Sequence, residues 1–180
     1  MDQTLRRWKL RERTAHAHSV VDAAVGAFAD IEGYRRYLAA IYRFRTPIER
    51  DLERIAWPAA MGDWRPRQVS AAIAQDLRDL GEALPQCGVA VPSMSDDALM
   101  GTLYVLEGSI LGSQVLLKRA RQLGLTETHG ARHLALQAGG IDEWRGFLAL
   151  LEVAEPFDLE RTTAASLATF AAAESAFQKV

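Results

Sequence analysis

SDDALMGTLYVLEGSILGSQVLLKRARQL, residues Ser95–Leu123, is the stretch that decides the fold. Its apolar residues recur at three- and four-residue intervals, so it reads as one long helix. Ser95 is a suitable N-cap, and Asp96 and Asp97 complement the positive end of the helix dipole. Lys118, Arg119 and Arg121 precede Gly124, the matching C-terminal signature. Gly101, Gly108 and Gly112 lie inside it, and each interior glycine costs about 1 kcal/mol relative to alanine. Gly108 and Gly112 are four apart, so they stack on one face and leave a groove without side chains. Two readings stand: close helix packing or a kink, and a flat ligand lying on bare backbone. Ser109 and Ser113 border the groove, while spacing does not fix the direction of Glu107.

Outward from this helix the periodicity stays helical, and no run alternates cleanly enough for a strand. A first helix is expected over 2–28, with Leu10, Thr14, Ala17, Val21, Ala24 and Val25 facing inward. Gly33 separates it from a second over 34–55, whose apolar set is Tyr37, Leu38, Ile41, Tyr42, Phe44, Ile48 and Leu52. Pro47 falls inside that run and should bend it. Residues 57–66 read as an ordered connection, and 68–84 as a third helix ended by Pro85 and Gly88. Residues 89–94 form a short loop before Ser95, and two further helices cover 142–152 and 158–178. The expectation is one all-α domain over 1–180.

The 180 residues are 49% apolar and 24% charged, with a net charge of −2, a globular composition. No basic excess exists to drive counterion release, which argues against a nucleic-acid partner. The cluster Arg6, Arg7, Lys9, Arg11 and Arg13 reads as a solvated helix face. The single cysteine, Cys87, excludes an internal disulfide and a cysteine-based zinc site. The N-terminus shows no secretory pattern, and no stretch approaches the roughly 20 apolar residues of a membrane span. A cytoplasmic protein, with no membrane partner, is expected.

Four histidines are candidate ligands. His16 and His18 are two apart and point about 200° from one another on a helix, so they cannot share a metal. His18 sits at the edge of the buried stripe, where a histidine is either a satisfied core residue or a ligand. Asp22, at i+4, is placed to accept its other ring N–H, the support a metal-bound histidine normally has. Arg11, two turns earlier on the same face, could meet an anionic group. His129 and His133 are interrupted by Gly130, are expected to have no carboxylate partner, and read as a surface pair.

Two segments together resemble the heme oxygenase family. Leu10-Arg11-Glu12-Arg13-Thr14-Ala15-His16-Ala17-His18 is similar to its N-terminal pattern, a Leu-basic-Glu-x-Thr run closed four residues later by the proximal histidine. Tyr104-Val105-Leu106-Glu107-Gly108-Ser109-Ile110-Leu111-Gly112-Ser113-Gln114 is similar to its distal helix, in a wording nearest the bacterial branch associated with bacteriophytochromes. Order and spacing agree from Leu10 to Phe177.

The resemblance implies a helical bundle with heme sandwiched between the first helix and a Gly-kinked distal helix. It implies oxidative cleavage of heme to biliverdin, CO and Fe²⁺ with O₂ and external electrons. His18 would be the axial ligand to iron and Asp22 its support. Gly108 and Gly112 would let the backbone lie close over the porphyrin. Arg11 and Arg145 would meet the propionates, while Val21, Tyr104 and Phe170 would line the ring and Phe177 either the pocket or the core. Ser109 stands where many members keep an aspartate, Arg45 where a distal tyrosine is usual, and Ala149 at one propionate-arginine position. Ser109 and Arg45 are therefore candidates for the catalytic hydrogen-bond network. No flavin or nicotinamide fingerprint is present, which implies a separate ferredoxin or flavoprotein reductase, with a bacteriophytochrome as product acceptor. Two other readings remain: a non-catalytic heme-binding or heme-sensing protein of the same fold, and a thiaminase-type helical protein without heme. The latter needs a pocketed cysteine, whereas Cys87 lies in a Pro/Gly loop.

Overall fold

The computed structural model describes residues 5–87 and 96–178, so the expected Ser95 cap and 89–94 loop lie outside the described residues. Eight α-helices are described, with no strand among the described residues. Helix α1 spans Arg6–Val25 and borrows its N-terminal cap from elsewhere in the chain. The Glu152 carboxylate accepts from the amides of Arg6 (2.8 Å) and Arg7 (3.2 Å), two of the donors a helix start leaves unpaired. The expected solvated basic face is thus partly a latch. Arg6 also donates to the carbonyls of Leu151 and Ala154 and lies over the Phe157 ring, and Arg13 pairs with Glu160.

Helix α2 spans Ile31–Leu52. Gly33 does not separate it from α1 but lies in its first turn, where its amide donates to Asp30, the N-cap (2.7 Å). Pro47 sits inside a helix that continues past it. The 57–66 connection contains one 3₁₀ turn, Ala59–Met61, with Met61 buried. Helix α3, Ser70–Asp79, ends earlier than Pro85 because Gly81 adopts φ +74°. Its amide bonds Arg78 O and that of Glu82 bonds Leu77 O, the paired closure of a left-handed C-terminal cap.

The expected long helix is two: α4, Asp96–Gly108, and α5, Ile110–Gln122, broken at Ser109. The 98–122 run is long and apolar enough, by length and composition, to cross a membrane, which the sequence reading did not anticipate. Of that window 56% is buried inside the protein, as in the core helix of a folded bundle. A short α6, Arg132–Ala138, has no counterpart in the sequence reading; α7 (Ile141–Val153) and α8 (Leu159–Gln178) fall where expected.

Two apolar clusters organise the packing. Leu10, Phe44, Ile48, Leu103, Phe147 and Leu151 centre one. Tyr34, Tyr37, Leu38, Ile73, Leu77 and Leu134 centre the other, and Ile41 of α2 packs against both. Helix α8 lies against α1, α2 and α4, which brings the first and last helices of the chain to the glycine-bearing helix.

Candidate functional site

Contacts along α8 set the relation of α1 to α4. On α1, Arg13 meets Glu160 and then His18 meets Phe170, so residue numbers rise together. On α4, Gly101 seats against the Thr162–Ser166 turn and Thr102 bonds Thr169. Helix α1 therefore runs with α8 in the same sense, and α4 packs on the same helix. They meet where Thr14 and Arg11 face the Tyr104 phenol, whose pKa burial pushes up against their opposing influence. Thr14 is one turn before His18, and Tyr104 is one turn before Gly108.

On the α1 side, buried Leu10 and Thr14 anchor the helix, but from Ala15 onward it is largely uncovered. The His18 side chain is 56% exposed, its Nδ1 lies 3.0 Å from the Asp22 carboxylate, and its ring meets Phe170 edge-on at 5.8 Å. No described residue bonds its Nε2. A carboxylate beside one ring nitrogen, with no described partner on the other, is the arrangement a metal-bound histidine has. Val21 is half-buried against the first cluster, and Phe170 is buried. Arg11 is exposed, with its guanidinium near the Trp8 ring.

The glycines divide the other side by function. A Cβ at Gly101 would fall 2.4 Å from Thr162 O and 2.8 Å from the Ala165 Cβ, so this glycine serves close packing of α4 on α8. A Cβ at Gly112 would meet nothing within 4 Å, and one at Gly108 only the edge of Trp144 at 3.6 Å. Of the first reading, close packing or a kink, packing accounts for Gly101, and the kink is present, since the helix breaks at Ser109 between Gly108 and Gly112. Gly108 and Gly112 therefore leave bare backbone on a face bounded, near Gly108, by the edge of Trp144. That cradle, with the free His18 Nε2 and Arg11, fits a flat, apolar, dianionic ring that bears a metal.

Behind the helix break lies a polar set that spacing did not reveal. Ser109 Oγ donates to Leu106 O (2.6 Å) and accepts from Gln137 of α6. Arg45 turns inward, but its guanidinium bonds Glu49 (2.8 Å), Leu106 O and Arg67 O, supporting the break from behind. Glu49 also takes the amides of Val69 and Ser70 and so caps α3. Arg45, Arg67, Glu107 and Gln137 line a cavity of about 10 Å³, the size of one water. Burial pushes the Glu107 carboxyl up, against the lowering effect of Arg45 and Arg67. Glu107, Arg67 and Gln137 are the residues sequence reading missed; Glu107 was legible as a neighbour of the notch, but not its direction.

Other candidates lie elsewhere. Arg145 is exposed and paired with Asp142, and Trp144 is the α7 residue that reaches the notch. Phe177 stacks on Tyr37 in the second cluster. His129 and His133 are not a surface pair: His133 is fully buried, with Nδ1 2.7 Å from Asp76, and His129 approaches Asp79. Burial pushes the His133 pKa down despite Asp76, so it is a neutral core histidine. Cys87 is exposed.

A family model for heme oxygenase matches residues 7–179. The chain belongs to the heme oxygenase family. It is 33% identical over 169 residues to heme oxygenase PigA of Pseudomonas aeruginosa, covering 91% of this chain and 85% of that protein. It is 33% identical over 125 residues to a heme oxygenase of Xanthomonas campestris pv. campestris, covering 68% and 74%. Among solved structures, the NO- and CO-bound heme oxygenase of Neisseria meningitidis superposes with a TM-score of 0.79 at 25% identity, covering 97% of this chain and 91% of that one. The all-helical heme oxygenase fold is therefore the fold of this protein, and its function is that of a heme-degrading enzyme.

Proposed function

We propose that this heme oxygenase cleaves its heme to biliverdin, CO and Fe²⁺ in the space between His18 and the Gly108–Gly112 notch. The observation that carries the siting is the pairing of an oriented histidine having a free Nε2 with two glycines whose Cβ positions face open space or a ring edge. Bound heme supplies the iron that activates O₂ and the ring that is opened.

Asp22 holds Nδ1 of His18, which turns Nε2 toward the ligand and keeps the imidazole from rotating. Val21 and Phe170 give the ring an apolar wall that excludes water, and Arg11 offers a cation to one carboxylate of the ligand. Gly108 and Gly112 put backbone against the ring and leave room for a small gas. The Ser109 hydroxyl, held between Leu106 O and Gln137, fixes the break that shapes this roof, with Arg45 bracing it from behind. Tyr104, between Thr14 and the notch, closes one end. Arg145, beside Asp142 at the surface of α7, is the second cation proposed for a propionate.

The chain acts as one domain with an external reductase, a ferredoxin or flavoprotein, and a bacteriophytochrome is the proposed acceptor of its product; its proposed location is the cytoplasm. The non-catalytic reading is not favoured, since the relatives it matches are named heme oxygenases. Adding hemin to the purified protein should give a Soret band, and ascorbate under air should replace it with biliverdin absorption. A Soret band unchanged in His18→Ala overturns ligation by this residue. A Soret band that persists without biliverdin overturns the enzyme reading.

A further inference from the structure

The roof over the ligand is bounded on one side only. At Gly112 a Cβ would find open space, whereas at Gly108 it would meet Cη2 of Trp144 at 3.6 Å and Cζ3 at 4.0 Å. Those two atoms belong to the outer ring of the indole, so the six-membered edge of Trp144 forms a wall beside the notch.

This wall is braced. Trp144 stacks on Phe147, which is fully buried, at 5.9 Å and 17°. Tyr104 lies 5.9 Å away on the α4 side. Phe147 is backed at 5.4 Å by Trp64, whose Nε1 donates to the carbonyl of Glu143, the residue before Trp144 (3.1 Å). Rings on three elements therefore hold the indole in one place, unlike an exposed side chain such as Arg145 on the same helix.

A heme disc has four inequivalent edges, because its vinyl and propionate substituents break the symmetry of the ring. Ligation by a histidine leaves it free to turn in its own plane. What stops that rotation is contact at the rim, where a rigid aromatic edge discriminates between substituents by size. We propose that Trp144 sets the in-plane orientation of the bound ring and thereby selects which edge is opened. Trp144 touches the space beside the ligand and takes no proton or electron; it is a specificity-determining residue. The proposal rests on the ligand lying in the notch.

Trp144→Phe keeps a ring for the stack on Phe147 but removes the outer atoms that reach Gly108, and Trp144→Leu removes the ring. The test compares both variants with the unsubstituted protein in a hemin titration, in proton NMR of the ferric cyanide complex, and in chromatography of the biliverdin isomers. Expected is a retained Soret band, a changed pattern of heme methyl shifts, and a minor isomer that rises at least several-fold. Unchanged methyl shifts and isomer ratio in both variants, under a normal Soret band, overturn the proposal and leave the notch reading intact. Loss of the Soret band in both variants, with the thermal melt retained, also overturns it, because Trp144 would then be needed to bind rather than to orient. Absence of a Soret band in the unsubstituted protein overturns the notch reading itself.

Discussion

Replacing Gly112 by alanine should make the empty protein more stable and its ligand weaker. Gly112 has helical backbone and its Cβ position faces open space, so alanine meets no clash. It gains the helix preference of alanine over glycine, about 0.5–1 kcal/mol. At this chain length, that raises Tm by roughly 1–4 °C. The same methyl projects into the space assigned to the ring, where overfilling a packed contact costs about 1–3 kcal/mol. That corresponds to hemin bound roughly 5- to 140-fold more weakly. Gly101→Ala provides the opposite case. Its Cβ would lie 2.4 Å from Thr162 O and 2.8 Å from Ser166 N, both backbone atoms, so α4 and α8 must separate. The packing cost of about 1–3 kcal/mol outweighs the helix gain, and the fold loses stability. Urea unfolding of the empty proteins and optical hemin titrations measure both quantities. A Gly112→Ala protein that loses stability, or binds hemin as tightly as the unsubstituted chain, refutes the division of labour among the glycines.

Asp22→Asn should weaken hemin affinity by about 10- to 100-fold through loss of support to His18, with less than about 0.5 kcal/mol change in unfolding free energy because Asp22 is exposed. The buried Glu107 binds its proton more tightly folded than unfolded, so stability falls as pH rises from its ordinary value of 4.5 through the raised folded value. Glu107→Gln should therefore raise Tm at pH 8 relative to the unsubstituted protein, with the difference shrinking toward pH 4.5; a constant offset across that range counts against it. Asp76 shows the reverse linkage. Burial pushes its carboxyl up, but hydrogen bonds from His133 and Arg132 outweigh that, so its stabilisation is present above 3.8 and is lost as pH falls through the folded value. Asp76→Ala leaves buried His133 and the Arg132 amide without their acceptor and should cost about 1–3 kcal/mol in denaturant unfolding.

Elements with a local cause were legible in the sequence. The periodicity of 142–152 and 158–178 located α7 and α8, and i,i+4 spacing joined His18 to Asp22 and Gly108 to Gly112. What spacing could not convey depends on partners far away along the chain. The helix break at Ser109 is held by Gln137, and His133 is buried because Asp76 receives it. The early end of α3 was available in principle, since Gly81 carries the positive φ of a helix cap, but Pro85 and Gly88 formed the louder signal. The same limit applied to Gly101: its glycine requirement comes from the backbone of α8, some sixty residues later.

Helix α1 is clamped at one end, by Glu152 on its first amides and by Arg6 on the carbonyls of Leu151 and Ala154, while the half that carries His18 is largely exposed and rests on Val21 and on the His18–Phe170 contact. Mechanically it is a cantilever. From Thr14, the last buried residue of the helix, to His18 the arm is about 6 Å at 1.5 Å per residue, so a tilt of about 10° there moves the imidazole by about 1 Å. Displacements of that size are enough to change a rate by about a hundredfold. The position of the proposed ligand nitrogen thus depends on a carboxylate on α7 at the far end of the lever as well as on Asp22 beside the ring.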